Sequence, residues 1–157
     1  HIEVTDHGSR AHSEENRKNS PCFFCCRLRR KRLFQLVDTY NLTHLALGHT
    51  SEDLVSTFFL NLFYGGSVNG LSMKESFFQG AFELIRPLMW LEKSVIKRAA
   101  RDWGLPIWSN PCPSSGETAR ADMVQFIEEK VGKNRKIRRN IYKALMRWQL
   151  DEQGKLG

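Results

Sequence analysis

The chain has 157 residues, of which 41% are hydrophobic, and this is enough for one domain with its own core. Lysine and arginine number 24 against 17 acidic residues, so the formal net charge is +7, which suits a polyanionic partner such as nucleic acid. The sequence contains neither a signal-peptide pattern nor an apolar run of the roughly 18 residues that a membrane span needs. These features exclude a membrane-spanning helix within the chain and predict a cytoplasmic protein that makes no membrane contact.

The N-terminal segment predicts little regular structure. Residues 1–5 have the composition of a short strand, and the polar, Gly- and Ser-containing stretch that follows lacks any apolar period. We therefore expect residues 1–21 to form a mobile segment in front of the folded domain.

The middle of the chain alternates helical and strand patterns. Between residues 27 and 40 apolar residues recur at near-helical spacing among basic ones, which predicts an amphipathic helix. The elements predicted next are a strand over 43–48, a helix from 49 that stops at Gly65-Gly66, a loop over 67–80, a strand over 81–88 and a helix over 91–104. This alternation favours a single α/β domain, in which helices flank a mainly parallel sheet.

The C-terminal third predicts two helices after a Pro- and Ser-rich loop, over residues 118–130 and 134–150. The region 117–150 is strongly basic, and Arg138 and Arg139 are its candidate contacts with nucleic acid. A solvated basic helix face is the competing interpretation. Most phenylalanines have core spacing, and Phe77-Phe78 before Gly80 is the only aromatic pair expected in an exposed loop.

The four cysteines indicate metal or sulfur chemistry, because a cytoplasmic chain rarely keeps disulfides. Cys22 and Cys25 form a C-x-x-C pair, and Cys112 follows in a proline-flanked loop that is expected to approach the same end of the sheet. Three thiolates without a fourth ligand favour a reactive centre with an open position, such as an iron–sulfur cluster. Cys26 is interpreted as a neighbour rather than a ligand. Zinc binding and ordinary half-buried cysteines remain alternatives.

A second candidate site follows the first strand of the α/β pattern. Gly48 and His49 end this strand, and Asp53 lies at the start of the next helix, where α/β sheets bind ligands. These three residues are candidate contacts for a nucleotide or its Mg²⁺. The alternative is structural, with Ser51 and Glu52 only capping the helix.

Four stretches occur together in the order and spacing of a known family. They are PCFFCCRLRRKRLF, LALGHTSEDLVSTFFLNLFYGG, IRPLMWLEKSVIKRAA and PCPSS, and they cover the chain from about Cys22 to Arg120. In this respect the sequence resembles the PP-loop ATP pyrophosphatases that thiolate tRNA, most closely the tRNA 2-thiocytidine synthetase group.

The resemblance implies part of an adenine-nucleotide α-hydrolase-like fold and a tRNA sulfurtransferase activity. Carried over by position, Cys22, Cys25 and Cys112 would hold a [4Fe–4S] cluster whose fourth iron carries the sulfur, and ATP with Mg²⁺ would activate a cytidine C2 carbonyl. Arg27, Arg29 and Arg30 would neutralise tRNA phosphate beside the cluster. The resemblance also implies a sulfur donor protein or sulfide as a partner. We further expect a homodimer.

The sequence departs from the family pattern at several positions. Ser115 stands where the second C-x-x-C of the family ends, and Ser56 stands in place of the later acid of the strand–helix motif. The phosphate-binding S-G-G-x-D-S loop is absent from all 157 residues. Because the sequence also begins at His1 rather than methionine, we expect the downstream part of a longer enzyme, without ATP hydrolysis of its own. A degenerate relative of the family, a 2-thiouridine-forming relative and a non-catalytic zinc or iron–sulfur RNA-binding module are the alternatives.

Overall fold

The computed structural model describes residues 2–17, 19–108, 111–114, 116, 118–132 and 134–154. Its elements in chain order are α1 (His7–Ala11), α2 (Pro21–Thr39), β1 (His44–Ala46), α3 (Ser51–Tyr64), β2 (Lys74–Phe77), β3 (Phe82–Ile85), α4 (Lys93–Asp102), α5 (Ala119–Lys130) and α6 (Arg135–Gly154). The predicted α/β class is confirmed. None of these helices combines the length and the apolar character needed to cross a membrane.

The sheet of the described residues is small and mixed, in the order β1-β3-β2. β1 runs parallel to β3 with Leu45 opposite Leu84, whereas β2 is antiparallel to β3. The loop predicted over 67–80 was therefore wrong in part, since it contains β2. This strand lacks the apolar alternation that marks a strand in sequence, because three of its four residues are polar and it lies at the sheet edge.

Helix α2 begins six residues earlier than the sequence pattern predicts. The Ser20 side chain accepts a hydrogen bond from the Phe23 N–H at 3.3 Å, and Pro21 occupies the first helical position. Both are standard helix-start features, since the serine satisfies an otherwise unpaired N–H and proline lacks one to satisfy. Cys22, Cys25 and Cys26 consequently lie in the first two turns of the helix rather than in a loop before it.

The N-terminal segment also differs from its prediction. Residues 2–5 do not form the expected strand, and α1 lies within the stretch expected to be a loop. Ala11 of this helix is buried, and α1 packs against α2. The mobility expected of residues 1–21 remains a prediction.

The remaining helices agree with the predicted pattern to within a few residues. Gly104, with φ of +64°, follows α4 in the left-handed conformation that ends helices. The core lies between α3, the segment before α4, and α6. Its buried side chains are Leu54, Val55, Met89 and Leu145.

The turn between β2 and β3 has an unusual backbone. Phe78 and Gln79 have φ values of +52° and +59°, and Gly80 continues the left-handed run at +91°. Only glycine adopts this conformation without steric cost, and a bulky side chain there costs about 1 kcal/mol or more. This hairpin tip is therefore strained at two non-glycine residues.

Candidate functional site

A cleft of about 840 Å³ lies between the first turns of α2 and the sheet. Leu45, Leu47 and Leu84 form its apolar floor, and the loop before α5 closes one side through Ser114 and Thr118. Its reactive and charged lining residues are Cys22, Cys26, Arg29, Arg30, His49, Glu75, Arg86 and Arg120. The cleft thus brings the cysteine helix to the carboxyl end of β1, the end at which α/β sheets bind ligands.

The predicted cysteine ligands are accessible. Cys22 is exposed, Cys25 and Cys112 are half-buried, and residues three apart in a helix such as Cys22 and Cys25 share one face. Among the described residues, however, no three His, Cys, Asp or Glu side chains converge closely enough to hold a metal ion. Three cysteine thiols match in kind and number the donors that such an iron–sulfur cluster needs, but ligation by Cys22, Cys25 and Cys112 remains a prediction.

Cys112 lies beside a histidine that sequence reasoning missed. The Cys112 Sγ is 3.8 Å from the Nε2 of His12, and the Ser114 Oγ is 3.4 Å from the same nitrogen. His12 follows α1, so this contact joins residues 100 apart in the chain. Nothing in the local sequence of His12 predicts it, because the polar segment has no period or motif.

His49 is fixed by a buried arginine. Arg86 is only 6% exposed, and its Nε donates a hydrogen bond to the His49 Nδ1 at 3.2 Å. The Nη1 of the same guanidinium pairs with the Glu75 carboxylate at 2.7 Å and donates to the Ser72 carbonyl. A guanidinium has donors and no acceptor, so the His49 Nδ1 must be unprotonated and its Nε2 carries the hydrogen of the neutral ring.

The surroundings of His49 favour that neutral form. Burial lowers the pKa of His49 below its ordinary value, and the positive charge of Arg86 lowers it further, with Asp53 acting in the opposite direction. His49 is consequently a neutral hydrogen-bond donor through Nε2 near neutral pH. Such a group suits an oxygen acceptor on a ligand.

Gly48 is exposed, and a side chain added there would meet no atom within 4 Å. The protein's own packing thus does not require glycine at this position. A close approach of a ligand to the backbone would require it.

The start of α3 uses its acidic residues structurally. The Asp53 carboxylate accepts hydrogen bonds from both the backbone N–H and the hydroxyl of Thr50, at 3.0 and 2.9 Å. Glu52 reaches forward and accepts the N–H of Lys93 at the start of α4, at 2.9 Å. The interpretation that polar residues at this position cap the helix is therefore correct. The residues that cap α3 are Thr50 and Asp53, however, and not Ser51 and Glu52.

Asp53 is held ionised by its neighbours. Burial alone would raise its pKa, but the Thr50 hydrogen bonds and the charges of Lys93 and Arg120 outweigh burial and lower the pKa below the ordinary value. The Asp53 Oδ1 lies 3.6 Å from Arg120 and 3.9 Å from Lys93. Contact of Asp53 with a nucleotide or Mg²⁺ stays a prediction.

Two arginines of the site were missed as site residues. Arg120 lines the cleft and also donates to the Thr57 hydroxyl at 3.2 Å, so it ties α5 to α3. Arg86 had a sequence signal, since a charged residue directly after an apolar strand must find a partner if it is buried. The identity of those partners could not be predicted.

The predicted nucleic-acid contacts fall in two places. Arg29 and Arg30 line the cleft, and the Arg27 guanidinium lies 5.4 Å from the centre of the Phe24 ring. Arg138 and Arg139 border a separate basic groove between α4 and α6, where Arg138 lies 3.6 Å from Glu92.

Comparison with known proteins places the chain in a family. The protein-family model that describes the PP-loop domain matches residues 24–112 of this chain. The chain belongs to the PP-loop family. The curated relatives of this PP-loop chain include the tRNA-cytidine(32) 2-sulfurtransferases of Geobacter metallireducens, 31% identical over 92% of this chain, and Bordetella pertussis, 34% identical over 94%. The chain spans 57% and 46% of those two proteins, which is about half their length.

A solved structure shows the same fold. The U34-tRNA thiolase NcsA from Methanococcus maripaludis, determined with its [4Fe–4S] cluster, superposes with a TM-score of 0.66. The superposition covers 84% of this chain and 45% of that one, at 23% sequence identity. The likeness shows the PP-loop fold of this chain.

Proposed function

We propose that this PP-loop chain carries the cysteine-bearing part of a tRNA sulfurtransferase, which replaces the C2 oxygen of a cytidine with sulfur. The observation that carries the proposal is the cleft in which Cys22 and the His49–Arg86 pair line the same space. The names of the relatives support tRNA and cytidine as substrates. A cytoplasmic location accords with this substrate.

Cys22, Cys25 and Cys112 would hold a [4Fe–4S] cluster. Bound through three thiolates, such a cluster has one iron open to a sulfur atom supplied by a donor protein or by sulfide. The first two ligands are already one helical turn apart at the exposed start of α2. The loop that carries Cys112 contributes Ser114 to the wall of the cleft that Cys22 lines, which supports the assignment of Cys112 as the third ligand.

Other residues that line the cleft suit the oxygen-rich parts of the substrates. The Nε2–H of His49 offers a donor, and Arg29 and Arg30 offer positive charge for phosphates of tRNA. Arg27 extends this charge along α2, and Arg138 and Arg139 would hold more distant parts of the tRNA backbone. Gly48, His49 and Asp53 would contact ATP and Mg²⁺ only together with an S-G-G-x-D-S loop, which is absent from the 157 residues.

Anaerobic iron loading tests the proposal. The purified chain, reconstituted with iron and sulfide, should turn brown and bind about four irons per chain. Cys22→Ser, Cys25→Ser and Cys112→Ser should each lose the visible absorption and most of the iron. Cys26→Ser is the matched control, because its thiol lines the same cleft and should be dispensable.

A different metal would contradict sulfur transfer. A colourless protein that binds one zinc tightly and no iron would favour the non-catalytic RNA-binding module instead. Bleaching by Cys26→Ser as strong as that by Cys25→Ser would overturn the ligand assignment.

A further inference from the structure

We infer that the tip of the β2–β3 hairpin is a stacking platform for an unpaired RNA base. Phe78 would be the platform, and the basic side chains of α2 beside it would bind the adjoining phosphates. The inference deepens the proposed function, on which it rests for the choice of RNA, and it adds a surface outside the cysteine cleft.

Phe78 presents an aromatic ring to solvent. Phe78 is 69% exposed, although its side chain is apolar. The ring is nevertheless packed within the protein, since the centres of the Phe34 and Phe82 rings each lie 6.0 Å from its own. An aromatic ring that is supported on one side and open on the other can stack on a base without first becoming ordered.

The backbone at this position disfavours phenylalanine. Phe78 and Gln79 both have left-handed φ angles, which glycine or asparagine would adopt more easily. The local backbone conformation of the turn therefore does not favour a phenylalanine at the tip. Strain of this kind concentrates at ligand-binding positions, where the surrounding structure maintains it.

The positive charges near Phe78 indicate which class of ligand this surface fits. A groove of about 730 Å³ adjoins the ring, and α2 lines it with Arg27, Arg30 and Lys31 against the single acid Asp38. An open ring beside three cations fits a base with its phosphates, because the base stacks and the phosphates pair with the cations. Bases in a duplex are stacked on each other, so the surface fits unpaired nucleotides.

The platform adjoins the cysteine cleft. Arg30 lines both the Phe78 groove and the cleft of Cys22 and Cys26. Arg30 lies one helical turn after Cys26, which is about 6 Å along the helix axis. An RNA strand stacked on Phe78 would therefore continue along α2 towards the cysteines.

Fluorescence anisotropy with two labelled RNAs tests the platform. One probe is a single-stranded oligonucleotide of mixed sequence, and the other is a blunt duplex of the same length. Phe78→Ala should weaken binding of the single strand by about tenfold, as the loss of one base–aromatic stack does, and should leave duplex binding unchanged. Tyr64→Ala is the matched control, because Tyr64 is 68% exposed and lines neither groove.

Further variants separate stacking from folding and from charge. Phe78→Trp should bind the single strand as the parent does, because it keeps an aromatic ring, and Phe78→Leu should not. Phe78→Gly relieves the strain of the left-handed backbone but has no ring, so it should still bind the single strand weakly. Arg30→Gln with Lys31→Gln should lower the slope of log single-strand affinity against log salt by about 1.4 units, because each lost phosphate contact contributes about 0.7, and Phe78→Ala should leave that slope unchanged. Unchanged single-strand binding by Phe78→Ala, equal losses on both probes, or full restoration by Phe78→Leu would each overturn the platform.

Neither probe requires iron or sulfur transfer. A chain that fails to take up a cluster but loses single-strand binding in Phe78→Ala would contradict the proposed function and support the platform. A chain that loads its cluster and binds tRNA, and whose Phe78→Ala variant binds the single strand as tightly as the parent does, would support the proposed function and contradict the platform.

Discussion

Two regions line the same cleft and differ in how firmly the protein holds them. At the junction of β1 and α3, Thr50 and Ser51 are buried, and both the N–H and the hydroxyl of Ser51 donate to the Leu91 carbonyl at 3.1 Å. At the start of α2, Cys22 and Cys26 are exposed, and Cys25 is half-buried. The first region is fixed by hydrogen bonds within the protein, and the second is available to a ligand.

The contrast shows which site residues also stabilise the fold. Arg86, Thr50 and Asp53 satisfy buried polar groups, so their replacement should disturb folding together with function. The exposed thiols do not have this double role. Loss of function at a cysteine is therefore easier to interpret than loss of function at the β1–α3 junction.

Among the substitutions that test this comparison, replacement of Arg86 is expected to change the free energy of unfolding most. Arg86→Met removes the partner of Glu75, of the Ser72 carbonyl and of the His49 Nδ1, and should lower the free energy of unfolding by about 3 kcal/mol. Cys22→Ser should change the same quantity by less than about 0.5 kcal/mol, because Cys22 is exposed. Urea denaturation followed by circular dichroism measures both. Equal effects of the two variants would remove the distinction between the regions.

A smaller effect is expected at the start of α3. Asp53→Ala leaves the Thr50 N–H without its acceptor and should cost about 1 kcal/mol, the usual contribution of a helix cap. Glu14→Ala removes a carboxylate from an exposed position and serves as the control in the same denaturation experiment. An unchanged midpoint for Asp53→Ala would show that water replaces the cap without loss.

The smallest effect concerns pH. Because the folded protein lowers the pKa of His49, the unfolded chain binds more protons than the folded one as the pH falls below about 6.5. Stability from His49 is thus complete above that pH and is lost as the pH falls towards the lowered pKa. His49→Gln, whose amide oxygen can still accept from Arg86, should flatten the stability profile below about pH 6.5. Parallel profiles for the parent and His49→Gln in urea titrations would contradict the lowered pKa.

The sequence alone determined the α/β class, five of the six helices in the described part of the chain and both strands of the parallel pair, because apolar periodicity is a local property. Motif spacing likewise identified Cys22, Cys25 and His49 as site candidates and indicated the PP-loop family, to which the chain belongs. These features depend on residues close together in the chain.

Tertiary structure decided the features that depend on residues far apart. The pairing of Arg86 with His49 joins positions 37 apart, and the contact of Cys112 with His12 joins positions 100 apart. The polar edge strand β2 forms because β3 offers it hydrogen bonds, and the strained Phe78 is exposed because the hairpin turns there. Local propensity carries no information about such partners, since burial and pairing are set only when the elements pack.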